Sequence, residues 1–553
     1  MRNPSLMRAH YIERTRRGKR PHRMGDGRVP TGLECSQGNH FMSLARDITT
    51  VGGGTLMSRL LAYLRDAWIA ALLGAEAYSE AFFAVLQVVN FFRRLLSEGA
   101  LNGAFVPIWL KLRGGEDGAA NACWFTLRAM VMIGIFTGIV VLIVTIFAPS
   151  VIAVIAPGFE AALRNQATLL LMIVAPYIVL AGLVAVGAAV LSAQGRVFIV
   201  AVSTAIFNLV LLLALTLIAR ETDRMWITIW LAMAIVIAGF GQLLIVTAAL
   251  ARGRSWRRPR VRVPDQTAAF FRRALPGLIA TGIPQLKLIA ATAIASASPA
   301  AVAWLYYANR LYELPLGVAS AAMAAVIVPR ISASVHADDP AADAAAQSRA
   351  YEIALGLALP SAVGFALLAN PIAGGLFERG AFGSQDTDAV AAALAAICAG
   401  LPGHVLEKAF GAVSFAHEDT HTPMYTALCG LAAAIAGGVL LFPLYGPTGV
   451  AAAIAISGWV GASLLGAVLY WRRWLRLDNN ARRRLPRIGL ATIVMAAVIA
   501  CVTYAVGAPA TSLGRLELLA VLVTLGVAVY GTALHVLGVA KFKDVAAALH
   551  PRA

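Results

Sequence analysis

Acidic residues are scarce in this chain: 28 Asp and Glu among 553 positions, against 46 Lys and Arg. All charged residues together make up only 13%, where a soluble domain carries about a quarter. That shortage, with 59% hydrophobic residues and a mean hydropathy of +0.75, excludes an ordinary soluble protein. Cysteine is also rare. Cys35, Cys123, Cys398, Cys429 and Cys501 form no CxxC pair, and four of the five fall in apolar segments, so they read as packing residues, not ligands or disulfides. Absent too are a GxxxxGK[ST] phosphate loop, an HExxH and a GxSxG, which removes an ATP-driven pump and the commonest metal and nucleophile chemistries. No metal, cofactor or nucleic-acid partner is expected, and the chain does not read as an enzyme.

What is present is long apolar sequence. From Arg46 onward, runs long enough to cross a bilayer (~20 residues) recur with short polar breaks, and fourteen can be counted. They are continuous and do not alternate, which excludes a β-barrel. The expected fold is an all-α polytopic membrane protein with 14 transmembrane helices. Placing the N-terminus in the cytoplasm puts 23 Lys and Arg in the inner loops and tail and 5 in the outer loops, the bias that orients membrane proteins. An even number of spans then leaves both termini inside.

Two arginine clusters, RGRSWRRPRVRV and WRRWLRLDNNARRRLPR, divide the chain. The expected organisation is a disordered basic extension at 1–41, with Met42 as a start site, and a first six-helix lobe at 46–251. A basic linker at 252–267 leads to a second six-helix lobe at 268–472. A second basic linker at 473–487, a helix pair at 488–540 and a cytoplasmic tail at 541–553 complete it. An offset of 222 residues aligns Val106-Pro107 with Val328-Pro329, Pro149 with Pro371 and Ser192 with Ser414. In-register matches at equivalent helix ends suggest two pseudo-symmetric lobes, an architecture that places substrate between them.

The candidate site is the charge inside these apolar helices. Arg59, Arg65 and Asp66 fall in the first span, Glu80, Arg93, Arg94 and Glu98 in the second. A charge in the bilayer costs at least ~2.5–3.5 kcal/mol, so these must pair or face a wet cavity. Arg59 and Asp66 share a helical stripe and can pair, leaving Arg65 to find another partner. Arg94 and Glu98 are at i,i+4 spacing and read as a structural pair. In the second half Arg310 and Glu313 sit in a helix interrupted by Pro315, and Lys287 follows Pro284. Lys287 is either a partner of Glu313 or a further anion contact. His404, Glu407 and Lys408 fall in the tenth span, where the last two read as structural. His417, Glu418, Asp419 and His421 share one turn and read as a solvated loop. Arginines outnumber acids, and the excess is best balanced by an anionic ligand such as a phosphate, a pyrophosphate or an amphiphile's carboxylate.

These residues carry a resemblance. SRLLAYLRDAWIAALLG (58–74), AFFAVLQVVNFFRRLLSEGALNGAFVP (81–107), APGF (156–159), WLYYANRLYELPLGV (304–318), LFERGAF (376–382) and EDTHTP (418–423) resemble the MurJ (MviN) lipid II flippases. That family belongs to the multidrug/oligosaccharidyl-lipid/polysaccharide (MOP) exporter superfamily. The resemblance covers essentially all of 42–545. It implies a multi-pass bacterial inner-membrane protein whose two lobes enclose a cationic cavity. That cavity would take the polyprenyl-pyrophosphate precursor of peptidoglycan from the cytoplasmic to the periplasmic leaflet. The partners implied are lipid II, the bilayer, and proteins of cell-wall synthesis or division. The final helix pair would form a groove for the lipid tail. The family's required arginines fall on Arg59, Arg65, Arg93 and Arg310, and its acidic position at the outer end of the second helix falls on Glu80, where aspartate is usual. Asn309 stands where relatives often have an acid. Some relatives bind sodium in the second lobe. The seventh, eleventh and twelfth spans here contain no Asp or Glu and the seventh contains Lys287, so that site is expected to be missing. The alternatives are a flippase for another polyprenyl-pyrophosphate glycan, a drug/ion antiporter of the same superfamily, and a membrane enzyme acting on a polyprenyl carrier.

Overall fold

The structure, a computed structural model, describes residues 57–539 apart from 98–99, 116, 253–266, 325–327, 338 and 507–511. The 1–41 extension, nearly all of the 252–267 linker, Glu98 and the 541–553 tail therefore lie outside the described residues. Among those described there are helices and no strands. The first half comprises α1 (57–73), α2 (Ala77–Ser97), α3 (Ala100–Arg113), α4 (Gly118–Ile146), α5 (Ala148–Ile155), α6 (Ala161–Val174), α7 (Tyr177–Ala193), α8 (Val197–Leu217) and α9 (Arg224–Ala251). The second comprises α10 (Thr267–Ala295), α11 (Ala301–Ala322), α12 (Val328–His336), α13 (Pro340–Leu367), α14 (Ala369–Phe377), α15 (Ser384–Cys398), α16 (Leu401–Ala416) and α17 (His421–Trp471). Two further helices, α18 (Asn479–Val506) and α19 (Ser512–Val536), close the chain.

Nine helical stretches among the described residues are long and apolar enough to cross a membrane. The charged helices α2 and α11 are not among them, because their arginines and glutamates lower the apolarity of any bilayer-length window. The longest stretch, α17, is two helices and not one. Its 51 residues hold Gly446 at φ 55°, ψ −138°, between Pro443 and Pro447. A Cβ on Gly437 would stand 3.2 Å from that of Ala453. Sixteen residues of unbroken helix would separate those positions by ~24 Å, so the chain reverses at Gly446. The apolar runs 424–442 and 448–470, two of the fourteen counted in the sequence, lie on either side of this reversal.

α10 joins the two halves. Its first turns insert fully buried Phe270 into an aromatic cluster with Phe105 and Phe125, at ring-centroid distances of 5.9 and 6.2 Å. Its far end packs on α17, where Ile294 fills the space left by Gly438. The 268 boundary separates the halves in sequence, yet α10 belongs to both by packing.

At one end of the bundle the halves touch directly. Ala381 N–H donates to Ala71 O at 2.8 Å, and Gly158 N–H donates to Ser296 Oγ at 3.0 Å. Gly74 and Gly380 sit at φ +60° and +59° in these contacts, each against the other segment's backbone, where a side chain would clash. Below them lies an aromatic layer. Phe83 of α2 stacks on Tyr306 of α11 at 4.0 Å, and Tyr307 packs on Phe377 and Phe382 at 4.8 and 5.4 Å.

Candidate functional site

Inward of that aromatic layer is a cavity of about 300 Å³, lined from both halves. Arg59 and Arg65 come from α1, Arg93 and Arg94 from α2, and Arg310 and Glu313 from α11. The other walls mix uncharged polar side chains, chiefly Asn90, Asn208, Gln242, Gln285 and Asn309, with Leu86, Phe207, Leu288 and three tyrosines.

Two carboxylates organise the arginines. Asp66 is wholly buried; its Oδ1 accepts from Arg65 Nε and Nη2 at 2.9 and 2.6 Å, and its Oδ2 accepts from Arg310 Nε at 2.6 Å. Glu313 Oε1 accepts from Arg94 Nη2 at 2.6 Å and its Oε2 accepts from Arg310 Nη1 at 3.3 Å. The resulting chain Arg65, Asp66, Arg310, Glu313, Arg94 stitches α1, α11 and α2 together. Arg65 Nη1 also donates to Asn208 Oδ1 at 2.9 Å, which ties in α8. Tyr63 supports Arg310 from below: its hydroxyl donates to the Arg310 carbonyl at 3.1 Å and its ring lies 5.4 Å from the guanidinium.

Several sequence expectations are revised. Asp66 pairs with Arg65 and Arg310 and not with Arg59. The stripe argument placed Arg59 and Asp66 on one helix face, but the long guanidine of Arg65 reaches its own neighbour, and Arg310 arrives from 244 residues away. Arg59 instead packs on Gly317 of α11, where a Cβ would come within 2.8 Å of Nη2. Among the described residues no carboxylate pairs with it. Arg94 pairs with Glu313; the expected pairing with Glu98 lies outside the described residues. Arg93 faces Asn90, with nitrogen-to-oxygen distances of 3.4 Å.

Glu80 and Lys287 are not in the cavity. Glu80, 3% exposed, accepts from Val302 N–H at 3.1 Å and so caps the first turn of α11 at the directly touching end. Lys287 faces α17 and does not reach Glu313. The amides Asn208 and Gln242 were missed, because sequence reasoning weighed only charge. Asn208 stands alone among aliphatic residues in TAIFNLVLLL, and that isolation was the available signal.

Among the described residues the arginines here outnumber the carboxylates paired with them. Five guanidinium groups line the cavity, and among the described residues Glu313 in its wall and Asp66 behind it are each shared between two of them. Buried cations without counter-charge are costly, and guanidinium forks match paired oxygens, so the space suits a compact polyanion. Among the described residues no group of His, Cys, Asp and Glu could hold a metal ion.

The sequence profile described as "Lipid II flippase MurJ" matches residues 69–521. A "Probable lipid II flippase MurJ" of Rhizobium meliloti (strain 1021) is 35% identical over 469 residues, 83% of this chain and 86% of that protein. The "Lipid II flippase MurJ" of Burkholderia cenocepacia is 28% identical, covering 90% of this chain and 98% of its own. Among solved structures, "Lipid II flippase MurJ, inward closed conformation" superposes with a TM-score of 0.74 at 22% identity, over 90% of this chain and 99% of the other. An inward-facing multidrug resistance MATE family transporter of the MOP superfamily superposes with a TM-score of 0.63 at 15% identity, over 78% and 95%. The likeness to these two structures is one of fold.

Proposed function

This chain belongs to the lipid II flippase MurJ family, and on that premise we propose that it carries lipid II across the bacterial inner membrane by alternating access. The observation that carries the proposal is the excess of arginine around a cavity built from both halves of the chain. Arg59, Arg65 and Arg310 hold the pyrophosphate, Arg93 shapes the inner side of the cavity, and Asp66 and Glu313 position the guanidinium groups. Binding the polyanion would draw Arg65 and Arg310 partly away from Asp66, so loading and the cross-half ion network are coupled.

The cavity volume of about 300 Å³ is at the small end for ligand pockets and suits a pyrophosphate without its sugar-peptide headgroup. Loading the whole headgroup therefore requires the halves to move apart. In this reading fourteen spans form two six-helix lobes, 46–251 and 268–472, that rock about the site. The α18–α19 pair borders the lipid tail, and both termini are cytoplasmic. The touching end is the periplasmic gate, closed here by Ala71–Ala381, Gly158–Ser296 and the Glu80 cap on α11. No covalent step is needed; proteins of cell-wall synthesis would take the lipid after release.

The experiment is depletion of this protein in its own cell, followed by a periplasmic agent that cleaves exposed lipid II. The expected result is that lipid II becomes protected and that re-expression restores cleavage. Undiminished cleavage after depletion would refute the function.

A further inference from the structure

On the side of α11 that faces α16, polar groups converge that the transport reading does not use. Lys287 of α10 is 7% exposed, and its Nζ would stand 3.1 Å from a Cβ on Gly430. The His404 ring lies against Gly458 and the Glu407 carboxylate against Gly461, where Cβ atoms would approach to 2.6 and 2.7 Å. Three polar side chains thus each occupy room left by a glycine of α17. Lys287 and Glu407 are close enough for their charges to interact, yet among the described residues neither is fixed by a hydrogen bond or an ion pair. Such groups are expensive to bury and add little to stability, so packing alone does not explain them.

The other titratable groups facing this set are few. Lys408, exposed, donates to Ser320 Oγ of α11 at 2.7 Å. Tyr312 and Glu313 approach from α11 and Cys398 from α15, and α17 contributes Ser457 and glycines. His404 Nδ1 has two neighbours with opposite demands, the Tyr312 hydroxyl at 2.9 Å and the Gly400 carbonyl at 3.1 Å. A ring with bare Nδ1 accepts from the tyrosine; a protonated Nδ1 donates to the carbonyl instead. Gain or loss of a proton at the neighbouring Lys287 and Glu407 biases which ring nitrogen carries the hydrogen, and so changes the bond that ties α16 to α11. Tyr312 lies two residues after Arg310, on the helix whose first turn Glu80 caps at the closed end.

We propose that Lys287, His404 and Glu407 form a proton-binding site whose occupancy shifts α11 between two positions and so couples protons to the opening of the gate. The proton is taken from water and returned to it, and it belongs to the set, not to a single residue. The idea rests on the transport reading for the meaning of the gate, but its test needs no lipid II, so the two can fail separately.

In the full chain with Cys35, Cys429 and Cys501 replaced by serine, nitroxides are placed at Glu160→Cys and Pro299→Cys across the closed end. The protein is reconstituted in phospholipid nanodiscs, and spin–spin distances are measured at about pH 5.5 and about pH 8. The expected result is two distance populations whose ratio changes roughly fivefold across that interval. Glu407→Gln and His404→Asn should each abolish the change, the second serving if the first does not fold. A distribution independent of pH in the otherwise unmutated protein overturns the proposal. So does a full pH response retained in both variants, or one retained in Glu407→Gln and lost in Glu80→Gln.

Discussion

The two faces of α11 carry charge in opposite ways. Toward the cavity, Arg310 and Glu313 are locked into a chain of shared carboxylates that reaches α1 and α2. Toward α16, Tyr312 meets a histidine beside a lysine and a glutamate that no ion pair among the described residues fixes. The first face shows how a membrane protein holds positive charge, by giving Asp66 and Glu313 two arginines each. The second shows polar side chains seated in room that glycines of α17 leave open.

The comparison breaks most visibly at Asp66. Asp66→Ala leaves the buried Arg65 guanidinium without a carboxylate and reduces Arg310 to its longer contact with Glu313, a loss of about 3–5 kcal/mol, so thermal unfolding in detergent should fall steeply and little folded protein should be recovered. Arg59→Ala orphans no carboxylate and should change stability by no more than about 0.5 kcal/mol while abolishing complementation of a depleted strain. A variant that unfolds would mean that Arg59 too belongs to the structural network. Across the helix, Gly458→Ala drives a methyl into the His404 ring and should cost about 1–3 kcal/mol by overpacking, read as a lower melting temperature. Tyr312→Phe removes one hydrogen bond, about 0.5–1.5 kcal/mol, and should blunt any pH dependence of transport in reconstituted vesicles.

The smallest effect is expected at the α16–α17 turn. Partial burial there opposes ionisation of Asp419, but hydrogen bonds from Thr422 and the Arg472 guanidinium prevail and hold its carboxyl below the usual range. A depressed carboxylate stabilises the fold above its unfolded value of about 4, and that contribution is lost as pH falls through the folded value. Melting of Asp419→Asn and the parent should therefore differ by a constant offset from pH 5 to 8 and converge only in stronger acid.

Much of this was legible in the sequence for a physical reason: an arginine in an apolar helix is an anomaly wherever it occurs. Arg59, Arg65, Arg93 and Arg310 stood out on that ground, and the structure brings all four to one cavity. The reversal within α17 was legible as the break between the apolar runs 424–442 and 448–470. Partners were not. Helical periodicity assigns faces within one helix, whereas Asp66 is shared with a residue of another helix 244 positions away. It also treats a side chain as pointing along its Cα–Cβ bond, and the reach of Arg65 defeated that. Glu80 could be assigned an outer-end role by resemblance, but its cap on α11 depends on how two distant helices meet.

The central claim is that arginine left without a carboxylate marks the seat of the pyrophosphate. It is tested most directly by lipid II binding to purified wild-type protein and Arg59→Ala, measured side by side with their melting temperatures. A loss of affinity of roughly tenfold or more, about 1.4 kcal/mol, at unchanged melting temperature is the predicted result. Equal affinity in the two proteins would contradict it.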